Sequence, residues 1–245
     1  DPAPVDTFTP GTPAARSLLD SFLERAASYD EDRNRFTERE SSSQLSPYLH
    51  FGQISPVAIA AAIEDRLGDD GEAFLEELIV RRELAINFVA NTSAYDSYSA
   101  LPEWATDSLA NHREDERNNT YTAAELEAGE THDEVWPAIM GAIRSEGWVH
   151  NQLRMYWGKQ IIGWTNTPQH AFRVLTELNN RYFLDGRDPN SYANVGWCFG
   201  LHDQGFKERP VTGKLRPFTT AALKRKDDLG AWLEAQPARP GEDNE

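Results

Sequence analysis

Apolar residues recur with a helical period along most of this chain, and this repeat constrains the fold more than any other sequence feature. Segments 14–27, 56–67, 72–89, 135–146, 148–164 and 168–178 all show apolar side chains three or four positions apart. Pro56, Pro137 and Pro168 fall near the first turn of a predicted helix, where no amide hydrogen is needed. Because strand-like alternation is weak, we expect an all-α fold.

The domain organisation follows from where this periodicity begins and ends. Residues 1–13 are rich in proline and lack the helical periodicity, which predicts a linker. We expect one helical domain over 14–230 and a C-terminal tail over 231–245. The connections 91–102 and 185–194 are rich in Gly, Pro, Asn, Ser and Tyr, as binding loops often are. The chain starts with Asp rather than Met, so we expect further protein to precede it.

The charge of the chain is strongly acidic but unevenly distributed. Lys and Arg number 24 against 40 Asp and Glu, a formal net charge of −16, which by itself argues against binding to nucleic acid. The stretch 207–226 is the exception, with seven basic residues and one acidic residue. A generally acidic surface is also typical of proteins adapted to high salt, and a merely solvated acidic face is the alternative.

Cysteine and apolar content narrow the class of protein further. Cys198 is the only cysteine, so no internal disulfide forms, and no Cys/His cluster has zinc-ligand spacing. No apolar run approaches the roughly 20 residues that a membrane span requires. We therefore expect no metal, no membrane partner and a cytoplasmic location.

A run of hydroxyl residues is the first candidate for binding chemistry. Ser42, Ser43 and Ser46 stand just before an apolar patch, and hydroxyls and backbone amides in such a run suit a diphosphate. A flexible or capping loop is the alternative explanation for a serine run.

Tryptophans form the second candidate group. Trp157 and Trp164 are seven residues apart, two helical turns, so their backbones lie roughly 10 Å apart on one face. Electrons can hop over that distance, and Trp136, Trp148 and Trp197 extend the set. Large aromatic side chains at helical spacing are also typical of an ordinary core.

A dense polar segment at 178–190 is the third candidate. Buried Asp and Arg side chains are costly unless they pair, so Asp185 and Arg154 could bridge inside a site and hold a polar cofactor ring. A surface loop with solvated charges is the alternative.

Several of these segments, in this order, resemble the signature blocks of DNA photolyases and cryptochromes. The blocks are Leu-Ser-Pro-Tyr-Leu-His-Phe-Gly at 45–52, Glu-Leu-Ile-Val-Arg-Arg-Glu-Leu at 77–84, Arg-Met-Tyr-Trp at 154–157 and Asp-Gly-Arg-Asp-Pro-Asn at 185–190. The last two, with 202–205 and 209–216, look most similar to the class II cyclobutane pyrimidine dimer photolyases. The resemblance covers about 14–226. It implies the family's helical FAD-binding domain, without the N-terminal α/β antenna domain, which we expect to be a missing partner.

The resemblance also implies how the chain holds FAD. Arg154 and Asp185 match the family's salt bridge beside the isoalloxazine ring, and Asn179 matches an asparagine near flavin N5. Trp157, Trp136 and Trp164 match the tryptophans that relay electrons to the flavin, which would make them more than core residues. The full set of implied cofactor-binding residues is Ser42, Ser43, Leu45, Ser46, Arg154, Asn179, Asp185, Arg187 and Asn190.

The implied substrate is damaged DNA with a flipped pyrimidine dimer. Glu77 falls at the acidic residue that hydrogen-bonds the dimer and has an implied catalytic role, as do the three relay tryptophans and Asn179. The implied substrate-binding residues are Glu77, Arg81, Met155, Trp197, Lys207, Arg209, Lys214 and Arg216. The implied activity is that of a deoxyribodipyrimidine photo-lyase, a light-driven carbon–carbon lyase. The alternatives are a cryptochrome-like photoreceptor without repair and a helical remnant that binds DNA without cofactor.

Overall fold

Helices account for all of the regular structure in the computed structural model, which describes residues 2–236. Within that range the only sheet-like pairing is an isolated antiparallel bridge between Arg209 and Gly213. The all-α prediction is confirmed. None of the helices over these residues is long and apolar enough to cross a bilayer.

The N-terminal part of the chain builds the first of two hydrophobic cores. Phe22, Ile59, Ile63 and Phe74 are among the side chains buried in it. Pro56 opens the helix predicted at 56–67, and the Ser55 hydroxyl caps that helix by accepting from the Val57 amide. The helices of this core are α1 (Thr12–Leu23), α2 (Tyr29–Asp32), α3 (Ser46–His50), α4 (Pro56–Leu67) and α5 (Glu72–Leu75).

A π-helical turn interrupts the helix predicted at 72–89. α5 runs into the π-helical residues Glu76–Arg81 and then into α6 (Arg82–Asn91). The helix prediction is confirmed in extent, but the wider turn was not predicted. A π-turn inserts an extra residue and re-aims its side chains, so it is often found at functional sites. Here it contains Glu77.

The remaining helices surround the second and larger core. Trp136, Tyr156 and Trp157 are fully buried there, together with Phe199. The helices are α7 (Glu103–Asn111), α8 (Ala123–Ala128), α9 (Val135–Glu146), α10 (Asn151–Trp164), α11 (Pro168–Tyr182), α12 (Pro189–Cys198), α13 (Thr220–Lys224) and α14 (Leu229–Glu234).

Helix α12 corrects the prediction that 185–194 is a loop. The Asp188 carboxylate accepts from the Asn190 amide, and Pro189 occupies the first turn, so the helix begins inside the segment. The predicted helix at 148–164 starts later, at Asn151, because the His150 ring caps it by accepting from the Gln152 amide. The sequence contained both capping residues. Their role becomes clear only when the backbone turns are known.

The two predicted domain boundaries fall where the chain is packed. Before α1, the Phe8 ring meets the Tyr48 ring edge-on at 6.0 Å, and the Tyr48 hydroxyl donates to the Thr9 carbonyl. At the other end, α14 crosses residue 230 and buries Trp232. Residues 237–245 of the predicted tail lie outside the described residues.

Candidate functional site

A cavity of about 660 Å³ opens between the two cores. The first core contributes its serine run and the π-turn, and the second core contributes the start of α10 and the segment before α12. Of the predicted site residues, those that line it are Ser42, Ser43, Leu45, Ser46, Glu77, Arg81, Arg154, Asp185 and Asn190. Residues that are distant in sequence therefore meet at one site, as the resemblance implied.

Hydroxyl groups line one side of this cavity, and a neutral histidine lies behind them. Ser42, Ser43 and Ser46 line the cavity itself. Behind them, the Ser41 hydroxyl is buried 3.3 Å from His150 Nε2. Burial lowers the pKa of His150 to about 4, so its ring is uncharged at neutral pH. This side therefore offers neutral hydrogen-bonding groups to a ligand.

Arg154 and Asp185 form a two-bond ion pair on the opposite side. Arg154 Nη1 donates to Asp185 Oδ1 at 3.0 Å and to Oδ2 at 3.2 Å, while Nη2 donates to Asn179 Oδ1 at 2.6 Å. The guanidinium lies 3.8 Å from the centre of the Phe183 ring. Both charged side chains are mostly buried, at 17% and 13% exposure. The pair gives the cavity wall a fixed cation, a fixed carboxylate and an oriented amide.

Two side chains hold the Glu77 carboxylate in the cavity: Tyr29 on α2 and Arg33, the residue that follows α2. The Tyr29 hydroxyl donates to Glu77 Oε2 at 2.7 Å, and Arg33 pairs with the other carboxylate oxygen. Burial, followed by the charge of Glu77, raises the pKa of Tyr29, so the phenol keeps its proton. Arg81, on the same π-turn, is exposed and pairs with Glu76 at 2.9 Å.

Three tryptophans stack through the second core, starting one helical turn from Arg154. The Trp136 ring lies 5.6 Å from Trp157, stacked at 21°, and 5.3 Å from Trp164, at 68°. Trp136 and Trp157 are fully buried, while Trp164 is 9% exposed. Phe183 lies between Arg154 and this stack, 5.9 Å from Trp157. A continuous aromatic path therefore leads from the cavity wall toward the surface.

Some predicted cofactor residues do not line the cavity. Asn179 is buried beside Arg154 and borders a second, very small pocket together with Met155. Arg187 is exposed, and its guanidinium and amide bind the Asn180 main chain and side chain, which ties down the loop. Arg187 therefore shapes the approach to α12, and Asn179 acts on the cavity through Arg154.

Five predicted substrate residues outside the cavity lie at the end of α12 or in the exposed loop beyond it, whereas Met155 is buried on α10. Trp197 is half-buried, and the Arg216 guanidinium lies 5.8 Å from its ring centre. Lys207, Arg209 and Lys214 are all exposed. The Arg209–Gly213 bridge and a bond from the Lys214 amide to the Ser108 hydroxyl hold this basic loop against α7.

The sequence interpretation missed several residues of the cavity wall. Tyr29 and Arg33 were missed because only the fold brings α2 to Glu77. Asn151, Ser191 and Asn194 also line the cavity, the last two on the helix that was predicted as a loop. The Asp188–Pro189 pair was the available signal for that helix. No group of three or more potential metal ligands occurs within residues 2–236.

Curated relatives match the chain over nearly its whole length. A deoxyribodipyrimidine photo-lyase of Methanothermobacter thermautotrophicus is 46% identical over 230 residues, covering 93% of this chain and 51% of the relative. Proteins of the same name from Oryza sativa subsp. japonica and Potorous tridactylus are 44% and 40% identical, covering 94% and 93% of this chain and 47% and 44% of those relatives. The chain belongs to the photolyase/cryptochrome family. It spans about half the length of the curated relatives it matches.

Solved structures support the family fold. A class III photolyase from Agrobacterium tumefaciens aligns with a TM-score of 0.71 at 22% identity, covering 93% of this chain and 45% of that one. A Synechocystis cryptochrome aligns with a TM-score of 0.69 at 18% identity, covering 94% and 46%. No protein-family model matches the chain. The family's helical half is therefore the part of the fold that this chain contains.

Proposed function

We propose that this chain is the flavin-binding catalytic domain of a DNA photolyase that repairs cyclobutane pyrimidine dimers. The observation that carries the proposal is the aromatic path that leads from the cavity wall toward the surface. Three tryptophans in ring contact begin one helical turn from the Arg154–Asp185 pair and end at Trp164, the least buried of the three at 9% exposure. A site that only bound a ligand would not require such a path, whereas a light-driven redox cofactor does.

The cavity suits FAD in size and in the placement of its polar groups. Its volume lies within the usual range for cofactor sites, about 300–1,000 Å³. Ser42, Ser43 and Ser46 would hold the diphosphate, and the Arg154–Asp185 pair would hold the polar edge of the isoalloxazine ring. Asn190 and the main chain at Leu45 complete the set that we assign to the cofactor, while Arg187 holds the loop. When bound, a reduced flavin supplies one electron to the dimer under light and takes it back after the ring opens.

Asn179 and the three tryptophans would set the redox state of that cofactor. The Asn179 amide oxygen accepts from Arg154, so its NH₂ group is oriented by the same ion pair that holds the ring. Trp164, Trp136 and Trp157 would pass electrons inward toward the cofactor and keep it reduced. Because all three are packed in the core, little reorganisation accompanies each transfer.

The lesion would enter the cavity on the side of Glu77. Its carboxylate is fixed by Tyr29 and Arg33, so it is in place to hydrogen-bond a flipped pyrimidine. Met155 borders the second, very small pocket, and its assignment to the substrate rests on the resemblance alone. Flipping a damaged base pair costs less than flipping a normal one, which gives selectivity before any chemistry. Trp197 would stack on the dimer, and Arg81, Lys207, Arg209, Lys214 and Arg216 would contact phosphates.

Repair of dimer-containing DNA tests this proposal directly. The purified chain, reconstituted with FAD and photoreduced, is illuminated with blue or near-ultraviolet light beside a dark control, and its flavin absorption is recorded. We expect light-dependent loss of dimers, and we expect E77Q to reduce it while retaining flavin. Flavin binding without repair would favour a cryptochrome-like receptor instead, and a colourless protein would indicate a remnant without cofactor.

A further inference from the structure

Lys159 is a buried cation in the second core that the proposed function does not use. It lies on α10, one helical turn after Met155, with 7% of its surface exposed. Its ammonium donates to a main-chain carbonyl, Cys198 O, at 2.6 Å, and not to a carboxylate. Burying a lysine without a carboxylate partner is costly, so a core position normally favours an apolar residue instead.

The side chain that this ammonium meets is Trp197. Lys159 Nζ lies 4.9 Å from the centre of the indole ring, within the range of a cation–π contact. Arg216, which is exposed, contacts the same ring. Its guanidinium carbon lies 5.8 Å from the centre of the indole and 4.4 Å from the centre of the Phe206 ring. One buried and one exposed cation therefore hold the indole.

Asp203 makes the exposed half of this arrangement rigid. Arg216 donates to its two carboxylate oxygens at 2.8 and 2.9 Å, and the Asp203 side chain is only 5% exposed. Burial lowers the pKa of Lys159, and the nearby Asp203 carboxylate partly offsets that shift. The Asp203 carboxylate is ion-paired with Arg216, so these two charges largely offset each other. The Lys159 ammonium therefore leaves a net positive charge beside the indole.

We propose that Lys159 is a positioning residue for the photoreaction: its ammonium fixes the ring of Trp197 and places a positive charge beneath the dimer that stacks there. The inference rests on the proposed function, because it takes Trp197 as the surface that receives the dimer. When bound, a reduced flavin would supply one electron to the dimer and regain it after two carbon–carbon bonds of the cyclobutane ring break. Lys159 neither gains nor loses a proton, and its charge stabilises the negative dimer while that electron is present.

A double-mutant cycle tests whether Lys159 acts through Trp197. Binding of a dimer-containing oligonucleotide is measured in the dark for wild type, K159M, W197F and the double variant, with R173Q as the control for losing one positive charge on the exposed face of α11. We expect K159M to weaken binding about fivefold when Trp197 is present, and to have little further effect in W197F. Equal effects in both backgrounds would overturn the inference.

Two further measurements separate charge from packing. K159R keeps the cation, so it should retain most of the affinity and of the repair yield per absorbed photon at saturating DNA. K159M should lower that yield, while thermal melting and flavin content stay close to wild type. If K159R binds the lesion as weakly as K159M, the charge is not responsible and the inference fails.

The outcomes also distinguish this inference from the proposed function. Dimer binding with the expected coupling, but without repair by wild type, would overturn the proposed function and support the placement of Lys159. If wild type repairs dimers but K159M weakens binding equally with and without Trp197, the proposed function is supported and the role of Lys159 is overturned.

Discussion

Arg154 is the residue at which the cavity, the buried amide of Asn179 and the aromatic core meet. In R154L, the largely buried Asp185 carboxylate loses its partner, and the free energy of unfolding should fall by about 3 kcal/mol. Flavin retention should fall with it. Urea unfolding and the flavin absorbance per protein chain measure the two effects. Unchanged flavin retention and redox behaviour in R154L would remove Arg154 and Asp185 from the proposed site.

Trp136 is the middle ring of the tryptophan stack, so its replacement tests the path without touching the cavity. W136F removes the indole NH that donates to Leu126 O, which should cost about 1 kcal/mol of stability, and it should slow photoreduction of the flavin. Repair by chemically reduced protein should remain. W232F makes the same change in α14, outside the stack, and should leave photoreduction at the wild-type rate. Equal rates in W136F and W232F would contradict the relay.

At the scale of elements, α10 and α12 approach each other closely at Gly158. A Cβ atom added there would stand 2.7 Å from the Cys198 sulfur and 3.5 Å from Leu175, so G158A should destabilise the domain by about 1–3 kcal/mol. Gly163 on the same helix has open space around it, and G163A should stabilise by up to about 1 kcal/mol. Thermal melting of the two variants provides the comparison. A neutral G158A would mean that the two helices can separate at little cost.

The basic loop beyond α12 is fastened to α7 by a histidine between two carboxylates. His112 Nδ1 lies 2.6 Å from Asp115 and Nε2 lies 3.1 Å from Glu208, and the hydrogen bond to Asp115, followed by that to Glu208, raises the pKa of His112. Asp115 also accepts from the Val211 amide, which, with the His112 bond, lowers the pKa of that carboxyl.

The sign of the pH dependence follows from these shifts. Because His112 binds its proton more tightly in the folded state, its stabilisation is complete below its unfolded pKa, near 6.5, and is lost as pH rises through the higher folded pKa. The stability difference between wild type and H112Q should therefore be larger at pH 6 than at pH 9. Urea unfolding at the two pH values measures this stability difference. A difference that grows with pH would refute the stabilising role of the His112 hydrogen bonds.

The whole molecule carries a net charge of −16, and most of that charge lies away from the basic loop. Self-repulsion of the acidic surface should be relieved as salt shortens the screening length from about 10 Å at 0.1 M to about 3 Å at 1 M. We expect the melting temperature to rise between these salt concentrations. Maximal stability at low salt, with unfolding above 1 M, would count against an acidic surface adapted to salt.

The sequence by itself determined the elements whose signals are local. Helices α4 and α9 begin and end at the predicted residues, because apolar spacing, an early proline and a closing glycine all lie within or next to each helix. The serine run, the Arg154–Asp185 pair and Asn190 were also identified from sequence, and they do line or border one cavity. Their roles toward a cofactor stay predictions.

Only the tertiary structure decided which distant residues meet. Trp136 and Trp157 are 21 positions apart, and their stacking depends on how α9 packs on α10, which no local pattern encodes. The same holds for Tyr29 at Glu77 and for Lys159 at Trp197. The π-turn at Glu76–Arg81 and helix α12 were also missed. No local pattern encodes the π-turn, whereas the Asp188 cap and Pro189 were local signals for α12 that the sequence interpretation did not use.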